Sequence, residues 1–441
     1  MLKTSVPHYF KARREALIQA NPGAAFIFPA GAEVLRNPDV FYPHRQESNF
    51  YYLSGFAEPE SWLVITPEKN GPGASRMTLF VRQNDPEKEM WQGERHGTQG
   101  ASQVYGADES YLYEDFSKRL PELLSDCEKV FYRVGQNEKN DRTVFAALES
   151  HRASRSRAAR GLAAVTDPNE ALAEMRLFKT PEEAALLRQA GKISGEAHRT
   201  AMRETRHGMY EYEVEALIDY SFRRNGCGRN GYPSIVAGGK NAACLHYTYN
   251  NEKLRDGELL LIDAGGEFDY YTADITRTFP IGKRFSDSQA TIYDLVLRAQ
   301  KEALAMAKPG ATLTAIHRRT TEVLVDGLLR LDLMKGSASE IIRKNEHRRF
   351  YPHGTSHWLG MDVHDVGFYQ KNGEPRVLEP GMCFTVEPGL YFQPGDREVP
   401  EKFRNIGVRI EDDVWVTASG HENFTLSAPK ERAEIEALRA Y

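Results

Sequence analysis

Residues 259–280 read LLLIDAGGEFDYYTADITRTFP: an apolar run, Leu259-Leu260-Leu261-Ile262, ends on Asp263, turns through Gly265 and Gly266, and returns past Asp274. The run is too apolar for a half-exposed edge and reads as a strand buried on both faces. Asp263 and Asp274 are then expected on neighbouring strands. Buried, ionised carboxylates need a counter-charge, so the pair implies a metal, a basic partner or a shared proton. Taken alone, the same stretch is also compatible with an ordinary hairpin whose tip carboxylates are solvated.

The C-terminal half supplies more residues of the ligand type. Glu387 closes the strand-like Cys383-Phe384-Thr385-Val386, and Pro388-Gly389 stops that strand and fixes where its last side chain points. In Ile406-Gly407-Val408-Arg409-Ile410-Glu411 the apolar residues alternate, so a period of two puts Arg409 and Glu411 on one face. His357 lies in FYPHGTSHWLGMDVHD, with His353 before it and His364 after it, a dense cluster for a chain with 13 histidines. HGTSH lacks the central Glu of the helical H-E-x-x-H zinc motif. An Asp, Asp, His, Glu, Glu set offers one nitrogen and many oxygens, and two divalent cations would balance its four carboxylates. Such ligation favours Mn2+, with Fe, Co or Zn as substitutes.

These residues resemble the pita-bread metallopeptidases, and within them the aminopeptidase P branch. The likeness extends over nearly the whole chain, through EMRLFKTPEE, LHYTYN, LIDAGGE, ADITRTFP, HGTSHWLGMDVHDVG, LEPGMCFTVEPGLY and GVRIEDD in one order. The resemblance implies that Asp263, Asp274, His357, Glu387 and Glu411 hold two metal ions, with Asp274 and Glu411 bridging them. It implies that His246, His353, His364 and Arg409 serve the substrate and the transition state. In that scheme Glu387 orients the attacking water and moves its proton, His364 and His246 face the oxyanion or scissile carbonyl, and His353 holds the carbonyl of the proline. Arg409 buttresses the ligands, and Tyr391 donates a further hydrogen bond. The expected substrates are peptides beginning Xaa-Pro, with prolidase-like dipeptide cleavage as the nearest alternative and a non-catalytic binding module as a distant one. Relatives that assemble as tetramers place a residue like Trp91, here in EMWQGER, where a neighbouring subunit closes the site; the expectation is a homo-oligomer, dimer or tetramer. Packing of Trp91 within its own domain competes with this.

The 441 residues exceed one typical domain, and 41% apolar content suffices for sizeable cores. An α/β N-terminal domain is expected over 1–175, and an α+β pita-bread catalytic domain over 176–441. The first opens with an amphipathic helix, Tyr9 to Ala20, and a strand at Ala25-Phe26-Ile27-Phe28. Asn49 to Gly55 reads as an aromatic strand ending in a Gly turn. The second opens at Thr180-Pro181-Glu182-Glu183, a capping box starting a helix that runs to about Arg203. Further helices are expected over Tyr210 to Arg224, Ala290 to Ala307 and Thr314 to Leu331.

A net charge of −5 without a basic face argues against nucleic acid, and the run His151 to Arg160 reads as a solvated helix face. Gly238-Gly239-Lys240 lacks the spacing of a phosphate loop. No signal-peptide core and no run of about 18 apolar residues is seen, so no membrane partner is expected and the cytoplasm is the default. The four cysteines lack C-x-x-C spacing and read as buried free thiols.

Overall fold

The computed structural model describes residues 8–69, 71, 73–154 and 162–440. The chain divides into two compact units, Met1–Leu172 and Ala173–Tyr441.

The first unit is built on a six-stranded mixed sheet in the order Glu109–Leu112, Ser75–Val81, Trp62–Pro67, Ala24–Pro29, Lys129–Phe131, Ala164–Thr166. The three inner antiparallel strands are almost wholly buried, and Trp62 stacks on Phe116 with ring centroids 3.9 Å apart. The opening helix covers Tyr9–Ala20, as the sequence predicts. The segment Asn49 to Gly55 departs from expectation: Ser48–Ser54 is a helix, not a strand. Glu47 accepts the Phe50 N–H at its start, and Gly55, at φ +67°, ends it in the left-handed region. All seven helical residues are buried, so the aromatic side chains that favour a strand locally are satisfied by packing instead. His151 also departs from the solvated reading, since it is buried and pairs through Nδ1 with the Pro121 carbonyl at 3.0 Å. Residues 155–160 of that run lie outside the described residues.

The second unit combines short antiparallel sheets with long helices. Thr180 caps Pro181–Glu204 through the reciprocal capping box with Glu183, and Glu211–Arg224, Asp287–Met306 and Leu313–Arg330 are the other long helices. Their apolar faces share one core with Leu259, Leu260, Ile262 and Phe279, which ties the strand bearing Asp263 to the helical layer. Leu259–Asp263 is the buried centre of a three-stranded sheet, between Ile235–Gly238 and Thr276–Pro280. The return is not the simple hairpin expected. Gly266–Phe268 and Tyr271–Thr272 first form a small excursion, and Asp274 lies just before the returning strand rather than on it. Gly265 permits the crossing, because a Cβ there would come within 1.8 Å of the Ala273 carbonyl oxygen. The stretch Ile406 to Glu411 also breaks: Gly407–Arg409 pairs with Gly389–Tyr391, whereas Asp412–Val416 pairs with Cys383–Val386. The strand changes partner at Ile410 and Glu411.

All four cysteines are free, with Cys127, Cys227 and Cys383 buried; Cys244 is exposed, against the expectation of burial. Among the described residues no helix is long and apolar enough to cross a membrane.

Candidate metal centre

Strand ends aim the acidic groups at one point. Asp263 is the last residue of the central strand and pairs with Ile235 on one side and Thr276 on the other. The Tyr232 hydroxyl lies 2.6 Å from Asp263 Oδ1 and 2.6 Å from Asp274 Oδ1, so one phenol joins the two carboxylates. It has one proton to donate and serves one carboxylate at a time. The Asp274 N–H donates to Asp413 Oδ2 at 2.9 Å, which fixes the backbone of Asp274.

His357 Nε2 lies 3.3 Å from Asp274 Oδ2 and 3.6 Å from Glu387 Oε1. Its Nδ1 is 3.0 Å from the Trp358 carbonyl, to which it donates, so Nε2 is the nitrogen turned to the carboxylates. Ligand atoms of Asp274, His357 and Glu411 lie within 4.8 Å of one another.

Arg409 and Glu411 meet through Thr276. The Thr276 hydroxyl donates to Glu411 Oε2 at 2.7 Å and accepts Arg409 Nε at 2.9 Å. The same guanidinium donates to Asp263 Oδ2 at 2.5 Å and to the Tyr391 hydroxyl at 3.0 Å. Tyr391 then donates to His353 Nε2 at 2.8 Å, while His353 Nδ1 donates to the Gly354 carbonyl at 2.7 Å. Both ring nitrogens of His353 are thus engaged, and holding a substrate carbonyl requires it to exchange one of these partners.

Over the carboxylates opens a cavity of about 370 Å³ lined by Tyr232, Pro233, Ile235, His246, Thr248, Asp263, Asp274, Val363 and His364. The His364 ring stands nearly perpendicular to that of His357, with centroids 4.4 Å apart. Trp91 is on the helix Pro86–Gln92 of the first unit, which buries no residue; at 87% exposure it does not pack into its own domain.

The electrostatics follow from crowding acids in a buried space. Burial raises Glu411 and Asp413 well above the usual carboxylate range, and neighbouring acids add to it. Asp274 rises for the same reasons, burial first and Asp263 second. Burial lifts Glu387 to about 7, against the pull of His357 and Arg409. Burial would lower His357, but the bond to Asp274 and the field of Glu387 reverse this and bring it to about 9. Burial, then Arg409, pushes His353 down to about 3, in keeping with a neutral ring that accepts from Tyr391. A buried set of carboxylates sharing one guanidinium and one imidazole suits divalent cations, and the donor types fit oxygen-rich ligation with a single nitrogen.

The sequence reading therefore names residues that the fold brings together: Asp263, Asp274, His357, Glu387, Glu411, Arg409, Tyr391 and His353 converge, and His246 and His364 line the cavity above. It misses Tyr232, Thr276 and Asp413, which orient them. Of these only Asp413, the last acid of Ile410-Glu411-Asp412-Asp413, carried any local signal.

Comparison with known proteins agrees with this architecture. The model for metallopeptidase family M24 matches residues 185–418, and that for the aminopeptidase P N-terminal domain matches residues 10–132. The chain is 43% identical to the Xaa-Pro aminopeptidase of Escherichia coli over 430 residues, 97% of each chain. It is 39% identical to that of Haemophilus influenzae over 438 residues, 99% of this chain and 98% of the relative. Among solved structures it is similar to Pseudomonas aeruginosa aminopeptidase PepP, with a TM-score of 0.94, 43% identity and 99% of both chains covered. A complex of Escherichia coli aminopeptidase P with substrate gives a TM-score of 0.94 at 42% identity, again over 99% of both chains.

Proposed function

Because this chain belongs to metallopeptidase family M24, we infer that its carboxylate-rich centre is the active site of an Xaa-Pro aminopeptidase, a metallo-exopeptidase that removes the first residue from peptides with proline second. The observation that carries the reading is the convergence of Asp274, His357 and Glu411 ligand atoms beneath a cavity lined by His246 and His364. On this reading 176–441 is the catalytic domain in the pita-bread fold, following an N-terminal domain over 1–175, and all five proposed ligands lie in the former.

Asp263, Asp274, His357, Glu387 and Glu411 would hold two divalent ions, Mn2+ by donor preference, with Asp274 and Glu411 shared between them. Bound there, the ions supply Lewis acidity at the scissile carbonyl and make water a nucleophile near neutral pH. The protein does the rest. Glu387 would orient the water and take its proton, as a carboxylate placed beside His357 can. His364 and His246 hydrogen-bond the oxygen that gains charge as the carbonyl becomes tetrahedral. Asp263 receives the free amino terminus. Arg409 and Tyr391 fix Asp263 and His353, and His353 turns to the carbonyl beyond the proline ring.

The substrates are peptides with an N-terminal Xaa-Pro sequence. A homo-oligomer, dimer or tetramer, is supported by Met90 and Trp91, large apolar side chains exposed on one short helix. Four free thiols suit a reducing compartment such as the cytoplasm. The test is product analysis of an Xaa-Pro-Yaa peptide: release of Xaa that stops on chelation and returns with Mn2+ is expected, and equal turnover in the chelated enzyme overturns the reading.

A further inference from the structure

We propose that a buried ion cluster of Arg176, Lys179, Asp362 and Asp365 sets where His364 stands, making Arg176 and Asp365 positioning residues for the reaction. No residue from 359 to 368 lies in a helix or strand, so hydrogen bonding through a ladder cannot hold His364 in place. Beside the Asp365 N–H, which donates to the Trp358 carbonyl at 2.9 Å, the acids on either side hold it. One guanidinium nitrogen, Arg176 Nη2, donates to Asp362 Oδ2 at 2.8 Å and to Asp365 Oδ1 at 2.5 Å, clasping the tetrapeptide Asp362-Val363-His364-Asp365 at both ends. Lys179 Nζ takes the second oxygen of Asp365 at 3.0 Å.

The cluster is dry where it matters: the side chains of Arg176, Lys179 and Asp365 are 2%, 1% and 1% exposed. Burying ions costs solvation that apolar side chains filling the same space would not lose, so what the cluster provides is fixed geometry rather than stability. Two cations face two carboxylates. The fit admits no slack, because a Cβ at Gly360 would lie 2.1 Å from Asp365 Oδ2 and 2.9 Å from Lys179 Cε. The far end is anchored to the catalytic sheet: the Lys179 N–H donates to the Gly381 carbonyl at 2.7 Å, and Phe178 bridges to Met382, next to the strand Cys383–Val386 that leads into Glu387. The near end meets the other side, through the Thr272 N–H bonded to the Gly360 carbonyl at 3.0 Å, two residues before Asp274. The His364 loop is thereby referenced to the segments that lead into Glu387 and into Asp274.

The assignment rests on His364 acting in the reaction as proposed above. Arg176→Lys keeps the charge, but its ammonium nitrogen ends one bond short of Nη2 and cannot sit where that atom meets both acids. In the Mn2+-loaded enzyme we expect KM and metal content near wild type and kcat lower by about tenfold or more, as small misplacements of catalytic groups produce. Added to His364→Ala, Arg176→Lys should cost nothing further within about twofold, because it acts through the ring already removed. The His364 ring resonance, identified by its loss in His364→Ala, should shift in Arg176→Lys; this reports the clasp even if His364→Ala leaves kcat unchanged and the role of His364 fails. If Arg176→Lys does not fold, Asp362→Asn, at a partly exposed acid, carries the same measurements. Wild-type kcat with an unmoved resonance, or losses that multiply in the double variant, overturns the proposal.

Discussion

The Thr276 hydroxyl donates to Glu411 Oε2 at 2.7 Å while accepting Arg409 Nε, so one small side chain aims a candidate bridging ligand and its neighbouring cation together. Thr276→Val keeps the shape and leaves both partners unsatisfied in a buried place. Metal affinity should fall by about 10- to 100-fold, the usual cost of losing a partner behind a ligand, and Thr276→Ser should restore it. Calorimetric titration with Mn2+ checks this; unchanged affinity in the Val variant would remove Thr276 from the account.

Asp274 is surrounded by Tyr232, His357 and the Asp413 contact to its own N–H. Asp274→Asn retains the size and the backbone bond but removes a charge and a strong ligand oxygen. At least one metal should be lost from a protein that still folds. Elemental analysis beside circular dichroism decides; two tightly held ions in the folded variant would mean that Asp274 is no bridge.

His198 provides a pH test of stability behind the strand that ends on Asp263. It is fully buried, pairs through Nε2 with the Ala264 carbonyl at 3.0 Å, and burial lowers it from an ordinary 6.5 to about 4. A depressed histidine is neutral in the folded state while the unfolded chain takes up a proton, so its contribution is intact above about 6.5 and is lost as pH falls toward about 4. The loss amounts to roughly 3 kcal/mol at the low end. Urea unfolding at several pH values should show that slope in the wild type and less of it in His198→Asn; equal slopes would contradict it.

Trp91 is exposed on a helix that buries nothing, so an assembled enzyme is expected. Sedimentation of the wild type should give a dimer or tetramer, and Trp91→Ser should lower activity at least severalfold. A fully active monomer would take Trp91 out of the site.

Much of this was legible because local chemistry and final structure agree. Thr180 and Glu183 cap a helix wherever they face each other, and Leu259 to Ile262 can only be a buried strand. The misreadings share a cause, which is that a distant partner decided the outcome. Ser48–Ser54 is helical because its aromatic residues are packed on every side, and Ile406 to Glu411 breaks because two strands compete for it. Tyr232, Thr276 and Asp413 could not be picked out by type, since hydroxyls and acids are common; strand register sets Thr276 opposite Asp263 and Asp413 opposite Thr385, and the fold brings the Tyr232 hydroxyl to both aspartates.

Substrate length tests the central claim. A bond to proline has no N–H, so selection must come from the ring and the carbonyl beyond it, where a dipeptide instead carries a carboxylate that a dipeptidase must pair with a fixed cation. The decisive measurement is kcat/KM for an Xaa-Pro-Yaa tripeptide beside the Xaa-Pro dipeptide, at one Mn2+ concentration. Release of Xaa with the tripeptide clearly favoured is expected of an aminopeptidase; a clear preference for the dipeptide would make the enzyme a prolidase.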